Sequence, residues 1–169
     1  MAVRHRLIQV GPSAVWAVLA DGSRYAEWVV GTARSEPLRG RWPDTDAAIR
    51  YEVRLGPVRL FNETVVRRCE PGVSMELEAH AGVLGTARIA IELRPWGKKC
   101  LVLVDEHPLQ GAAGRLHNVG FEALIQLRHR AMLARLARLC ESEAQDVRRA
   151  PQGAPAASAA SGVDGAGRA

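Results

Sequence analysis

The chain has 169 residues, of which 47% are hydrophobic and 24% are charged. These proportions are ordinary for a folded domain, so they exclude a wholly disordered, collagen-like or coiled-coil chain. The formal net charge is +5, and nearly all of the basic residues are arginines, because Lys98 and Lys99 are the only lysines. This charge is weak evidence for a nucleic-acid partner, since genome composition alone can produce it.

The cysteines and the apolar runs indicate the compartment. Cys69, Cys100 and Cys140 are an odd number with no CxxC spacing, so they indicate neither a disulfide framework nor a zinc site. No apolar run approaches the roughly 18 residues that span a membrane. We therefore expect a cytoplasmic protein with no membrane span, no bound metal and no cofactor.

The first part of the chain predicts one strand and two short helices. Residues 3–10 alternate in polarity as a strand does, and Gly11-Pro12 ends them. Apolar residues at helical spacing then predict a helix that ends at Asp21-Gly22, and a second helical turn is expected over 23–28.

The middle of the chain predicts a run of antiparallel strands. Between positions 29 and 93 the pattern has period two; for example, Ile49, Tyr51 and Val53 alternate with Arg50 and Glu52. Turn sequences rich in glycine and proline separate the apolar segments at intervals suited to hairpins. A last strand is expected over 100–107.

The C-terminal part predicts one long helix and a tail. Residues 114–141 place an apolar stripe on one helix face, formed by Phe121, Ile125, Met132, Leu136 and Leu139. Beyond Ser142 the chain becomes charged and then rich in Ala, Gly, Ser and Pro, which cannot offset its own ordering entropy. We therefore divide the chain into a folded domain, 1–142, and a disordered tail, 143–169.

This order of elements predicts an α+β fold in which a curved antiparallel sheet wraps around the long C-terminal helix. The helix must bury its apolar stripe, and a concave sheet offers the surface for it. A space between helix and sheet that side chains do not fill, called the chamber below, is the expected ligand site.

Several stretches of the chain resemble the START-like, or helix-grip, superfamily that includes Bet v 1-type proteins and polyketide cyclases. They include PSAVWAVLADGSRY from Pro12, LRP from Leu93 and DEHPLQGAAGRLHN from Asp105. The resemblance covers nearly all of residues 3–142 and is strongest to single-domain bacterial members labelled SRPBCC or polyketide cyclase/dehydrase. It implies the helix-grip fold and a hydrophobic cavity, and it carries over no catalytic motif.

Strand alternation predicts which polar side chains enter the chamber: Tyr51, Asn62, Thr64 and Glu106 share faces with apolar neighbours. In an apolar pocket the Glu106 carboxyl has a raised pKa and acts as an acid or base, with Tyr51 as its partner. The alternative is a carboxylate at the rim, paired with an arginine.

Four further residues are predicted to contact a ligand. Trp28, with Tyr25, is a candidate for an aromatic lid, although burial in the core is an alternative. His117 lies in the connection before the long helix, where capping and loop packing are the alternative. Phe121 and Ile125 lie on the helix stripe that faces the sheet.

The sequence leaves three candidate functions. The first is the binding of a hydrophobic small molecule, a lipid or an aromatic or polyketide-like compound. The second is a cyclase, aromatase or dehydratase that uses Glu106 and Tyr51 in the same chamber. The third is a protein-interaction module that uses the arginine-rich helix or the tail. We expect no nucleic-acid partner, because the arginines around His129 lack interleaved exposed aromatics and fit a solvated helix face.

Overall fold

A computed structural model describes residues 2–55, 57–80, 85–110 and 119–149, with side chains at positions 2, 55, 58, 108, 110 and 119–127 left outside the description. Its strands are β1 (Ala2–Ile8), β2 (Thr32–Arg39), β3 (Ala48–Leu55), β4 (Val58–Glu70), β5 (Ser74–His80), β6 (Thr86–Trp96) and β7 (Lys99–Gln110). Its helices are α1 (Pro12–Leu19), α2 (Tyr25–Trp28) and α3 (Val119–Arg149), with a 3₁₀ turn at Gly22–Arg24.

The strands form a seven-stranded antiparallel sheet in the order β1-β7-β6-β5-β4-β3-β2. Sequential strands from β2 to β7 pair with their neighbours, and β1 returns to pair with β7. The edge strand β2 contains Pro37 and has register shifts between Thr32 and Arg34 and between Pro37 and Arg39. The sheet is curved and α3 packs against it, which confirms the predicted α+β helix-grip fold.

The two short helices form where the local chemistry favours them. Pro12 stands at the start of α1, where its missing N–H costs no helical hydrogen bond. The Asp21 carboxylate caps the 3₁₀ turn by accepting a hydrogen bond from the Ser23 backbone N–H at 3.0 Å. The indole N–H of Trp42 donates to the Leu19 carbonyl at 3.0 Å, so the segment before β3 holds the end of α1 in place.

The core is built from the inner faces of the strands, α1, α2 and the described side chains of α3. On β7, Cys100, Val102 and Val104 are buried, and they alternate with half-buried residues. On α3, Met132 and Leu136 are buried as predicted. The helix packs mainly against β1, α1 and α2.

The helix α3 ends later than predicted. It continues to Arg149 rather than stopping near position 141, so residues 143–149 are helical and the predicted domain boundary falls inside the helix. The cause is tertiary: Glu143 forms an ion pair with Arg24, and Ala144 packs against the core. Residues 150–169 lie outside the described part of the chain, where the disordered tail stays a prediction.

Within the described residues, no helix combines the length and the apolar character needed to cross a membrane.

Candidate functional site

Polar side chains interrupt the apolar interior at one level of the sheet. We define the polar cluster as the set of side chains Tyr25, Tyr51, Thr64, Glu106, Arg128 and His129. Thr64 and His129 are 0% exposed and Glu106 is 8% exposed. Buried polar groups cost free energy unless they find partners, so their arrangement carries the functional information.

The centre of the polar cluster is a hydrogen-bonded pair that joins the sheet to the long helix. Glu106 lies on β7, two residues beyond Val104 and on the same inward face. Its Oε2 atom lies 2.5 Å from Nε2 of His129, which is on α3. The Nδ1 atom of His129 is buried and has no hydrogen-bond partner within the described part of the chain. A histidine bound through one nitrogen with the other one unoccupied is an arrangement that catalytic and ligand-binding sites use.

Arg128 is the second cation beside Glu106. Its Nη1 atom lies 3.7 Å from Oε1 of Glu106, and its side chain is 35% exposed. This is an ion pair without hydrogen-bond contact, since N–H···O bonds are 2.7–3.2 Å long as a rule. The alternative predicted for Glu106, a carboxylate paired with an arginine, is therefore partly right, but the carboxylate is buried and its closer partner is a histidine.

The predicted rise in the Glu106 pKa is wrong. Burial raises this pKa, but the hydrogen bond from His129 and the positive charge of Arg128 outweigh that effect, so the pKa lies below its usual value. At neutral pH Glu106 is therefore an ionised carboxylate, which accepts hydrogen bonds and cannot serve as a resident general acid.

Two tyrosines form the other side of the polar cluster. The Tyr25 hydroxyl and Oγ1 of Thr64 are 2.9 Å apart, and the rings of Tyr25 and Tyr51 lie 5.7 Å apart. Burial raises the pKa of both hydroxyls, while the charge of Arg128 partly opposes the rise. Both tyrosines therefore remain neutral hydrogen-bonding groups, and the charges of Arg128 and Glu106 act on the pKa of both hydroxyls.

The structure brings the predicted strand residues together. Tyr51 and Asn62 are directly opposite each other on β3 and β4. Thr64 pairs with Ile49, two residues away along each strand. Asn62 is half-buried, and it interacts with the Tyr51 hydroxyl. The inward faces deduced from alternation are thus correct for Tyr51, Thr64 and Glu106.

Trp28 lies in the core instead of at an exposed rim. Trp28 and Tyr25 are each 2% exposed, and their rings pack edge to face at 5.2 Å. The Trp28 indole N–H is buried without a partner among the residues that the structure describes. Trp28 is therefore buried in the core, as the alternative had it, whereas an aromatic lid and contact between Trp28 and a ligand stay predictions.

The remaining predicted contacts are on less fully described parts of the chain. His117 lies outside the described residues, and Phe121 and Ile125 lie on α3 with their side chains outside the description. These three contacts stay predictions. The chamber also stays a prediction.

Sequence reasoning missed the role of His129. Composition groups His129 with the arginines of a solvated helix face, yet it is fully buried. The signal was its spacing: His129 is four residues after Ile125 and three before Met132, which places it on the apolar stripe. Arg128 was likewise treated as a solvated residue, although its side chain is half-buried beside Glu106.

Metal binding has no support within the described ranges, where no group of three or more potential ligand residues comes together. Asp105 and His107, on the opposite sheet face from Glu106, form a hydrogen-bonded pair at 2.8 Å. Two ligands fall short of the three or four that protein zinc sites use.

Comparison with known proteins identifies the family whose sequence pattern this chain matches. The sequence model of the family described as "Polyketide cyclase / dehydrase and lipid transport" matches residues 2–141. No curated protein is detectably similar in sequence to this chain.

Solved structures show the same fold at low sequence identity. Protein NE0264 from Nitrosomonas europaea has a TM-score of 0.69 at 12% identity, over 85% of this chain and 96% of that chain. Ara h 8.0201 has a TM-score of 0.65 at 11% identity, over 83% and 97% of the two chains. DynU16, from the dynemicin biosynthetic locus, has a TM-score of 0.64 at 19% identity, over 84% of this chain and 47% of that one.

At these identities the structural likeness establishes the fold alone, while the family match spans most of the sequence. The resemblance to the START-like, Bet v 1-like superfamily is confirmed. The chain belongs to the polyketide cyclase/dehydrase and lipid transport family.

Proposed function

We propose that this protein binds a hydrophobic small molecule, a lipid or an aromatic or polyketide-like compound, between the sheet and α3. The observation that carries the proposal is the polar cluster itself. Glu106, His129 and Thr64 are buried among apolar side chains, although their burial opposes folding. A ligand that is mostly apolar and carries a few oxygen atoms would be recognised by such a site.

The binding energy would come chiefly from apolar burial, at roughly 25 cal/mol for each Å² removed from water. The polar cluster and Asn62 would then orient the ligand by hydrogen bonds to its oxygen atoms. Hydroxyl, amide and guanidinium donors are present together with one carboxylate acceptor, so several oxygen-containing groups can be accommodated. The proposal also keeps the cytoplasm as the compartment, as the cysteine pattern predicts.

Native mass spectrometry of the gently purified protein tests this proposal. We expect a stoichiometric adduct that disappears on denaturation and is recovered in an organic extract. The wild-type protein should also increase the fluorescence of N-phenyl-1-naphthylamine, a neutral apolar probe. A clean apo mass together with no probe binding would contradict the proposal.

A matched pair of variants refines the test. Tyr51→Phe removes one hydroxyl of the polar cluster and should weaken retention of the native ligand. Arg130→Gln changes an exposed residue on the same helix and should leave retention unchanged. If both variants retain the ligand equally, Tyr51 plays no part in its recognition.

The second candidate function is acid–base catalysis on a poly-β-ketone, as in a cyclase, aromatase or dehydratase. The buried Glu106–His129 pair favours it, because a carboxylate that accepts the Nε2 proton leaves Nδ1 as a base. Nδ1 would remove a proton from the carbon between two carbonyls. The enolate carbon would attack a second carbonyl, and the same proton would return to the resulting alkoxide.

In this reaction the roles differ from those predicted from sequence. Glu106 would orient His129 and stabilise its protonated form, because the carboxyl is already ionised. Tyr51 would donate a hydrogen bond to the carbonyl oxygen on which negative charge develops. Loss of water from the aldol product would complete a dehydratase step.

Turnover of a thioester of a short poly-β-ketone, followed by mass spectrometry of the cyclised product, tests the second candidate. Glu106→Gln and His129→Asn should each abolish turnover while N-phenyl-1-naphthylamine binding is retained, and Arg130→Gln should be active. Equal turnover by wild type and Glu106→Gln would remove Glu106 from the mechanism.

A further inference from the structure

We propose that the ligand of this site carries an acidic group, and that Arg128 is the residue that selects for it. This inference rests on the proposed binding function and specifies its ligand class: an amphipathic anion such as a fatty or aromatic carboxylate.

The first argument is that the donors of Arg128 form no hydrogen bond to any residue that the structure describes. Its one ion-pair contact within the described residues, Nη1 to Oε1 of Glu106, is 3.7 Å long and falls outside hydrogen-bond range. A guanidinium has five N–H donors in a planar fork that matches a carboxylate with two parallel hydrogen bonds.

The second argument is that Arg128 is not the closer partner of Glu106. Its Oε2 atom is engaged by His129 at 2.5 Å, so the closer partner of this carboxylate is the histidine and Arg128 is the more distant one. A ligand anion could therefore reach the guanidinium without breaking the hydrogen bond between Glu106 and His129.

The third argument is the position of Arg128 relative to the tyrosines. Its positive charge lowers the pKa of both Tyr25 and Tyr51 against the effect of burial. Tyr51 is buried, and its neutral hydroxyl is a further hydrogen-bond donor for a ligand oxygen. A carboxylate between these groups gains charge-assisted hydrogen bonds that a neutral alcohol cannot match.

A cationic ligand fits the same position poorly. It would meet the positive charge of Arg128 in a region of low dielectric constant, where like charges repel strongly. A purely apolar ligand would cover the guanidinium without supplying an acceptor, which leaves its donors unsatisfied. The arrangement therefore favours an anion over both.

The test is displacement of N-phenyl-1-naphthylamine by a matched pair of competitors, dodecanoate and dodecanol, which differ at the head group. For the wild type we expect dodecanoate to displace the probe at a concentration at least about tenfold lower, the effect of one or two charge-assisted hydrogen bonds. In Arg128→Gln this preference, measured relative to the probe binding that the variant retains, should disappear. The matched control Arg130→Gln, exposed on the same helix, should keep the full preference.

The outcomes separate the two proposals. If the probe binds but the wild type does not prefer dodecanoate, or Arg128→Gln keeps the preference, the acidic-ligand inference is overturned and the binding function stands. If neither the probe nor dodecanoate binds the wild type, both proposals fail. The wild-type comparison needs no variant, so the inference remains testable even if Arg128→Gln does not fold.

Discussion

The interior of this protein has two regions that meet along α3. Toward the C-terminal end of the helix, Leu136 and Cys140 pack with Val15, Val18 and Val102 in a wholly apolar region. About two to three turns earlier, at Arg128 and His129, the interior contains the polar cluster. Burial in the first region stabilises the fold directly, whereas in the second it removes charges from water at a cost.

The difference indicates that the two regions of the interior have different roles. A domain that needed only stability would be served at least as well by apolar residues at Glu106 and His129, because replacing a buried ion pair by packed hydrophobic groups is often neutral or stabilising. The polar cluster is therefore explained by ligand recognition or catalysis, and the apolar region is explained by stabilisation of the fold.

The largest expected effect comes from leaving one buried charge without its partner. His129→Leu should lower the free energy of unfolding by about 3–5 kcal/mol, because the Glu106 carboxylate then stays buried with only the distant Arg128 beside it. Urea unfolding measures this change. The double variant Glu106→Met/His129→Leu should recover to within about 1 kcal/mol of wild type and lose ligand binding. A double variant as unstable as the single one would show that the pair itself supports the fold.

In the apolar region, Leu136→Ala should lower the free energy of unfolding by about 2–5 kcal/mol, since Leu136 is 2% exposed and truncation leaves a cavity. No second substitution in the polar cluster should restore it. Arg130→Ala, on the exposed face of α3, should change stability by less than about 0.5 kcal/mol in the same measurement. A loss of unfolding free energy below about 1 kcal/mol for Leu136→Ala would argue against a stabilising role of the apolar region.

A smaller effect is expected at the hydrogen bond between Tyr25 and Thr64. Thr64→Val should cost about 1–3 kcal/mol, because the buried Tyr25 hydroxyl loses its partner at 2.9 Å. Tyr25→Phe combined with Thr64→Val should cost less than Thr64→Val alone, since no polar group is then left unsatisfied. A double-mutant cycle by thermal unfolding measures this coupling, and strictly additive losses would contradict the interaction.

The smallest expected effect is on pH dependence, because burial and the cationic partners act on the Glu106 pKa in opposite directions. The folded-state pKa lies below the ordinary value of 4.5, so the stabilising contribution is present above that pH and is lost as pH falls through the folded pKa. Unfolding free energies of the wild type should therefore decline more steeply below about pH 4.5 than those of Glu106→Gln. Parallel pH profiles would show that the pair does not depress this pKa.

The parts of the site that lie on strands were predictable, whereas those on α3 were not. Strict alternation with Val102 and Val104 fixed the inward direction of Glu106, and the same logic placed Tyr51 and Thr64. On the helix, His129 was masked by the arginines on either side, because composition suggested a solvated face while spacing placed the residue on the apolar stripe.

The pKa of Glu106 and the end of α3 could not be predicted for a common reason. Both depend on partners far away in sequence: Glu106 meets His129, 23 residues on, and Glu143 meets Arg24, 119 residues away. Local patterns describe which face a residue occupies, but they do not identify what lies opposite it.

The edge strand β2 limits how copies of this protein can associate. Pro37 lacks a backbone N–H, and the register shifts on either side of it interrupt the regular spacing of donors and acceptors. A neighbouring molecule therefore finds no continuous template there for strand addition, which is the usual first step of edge-to-edge aggregation. Growth of an extended intermolecular sheet from the β2 edge is therefore disfavoured, even in concentrated, ligand-free protein.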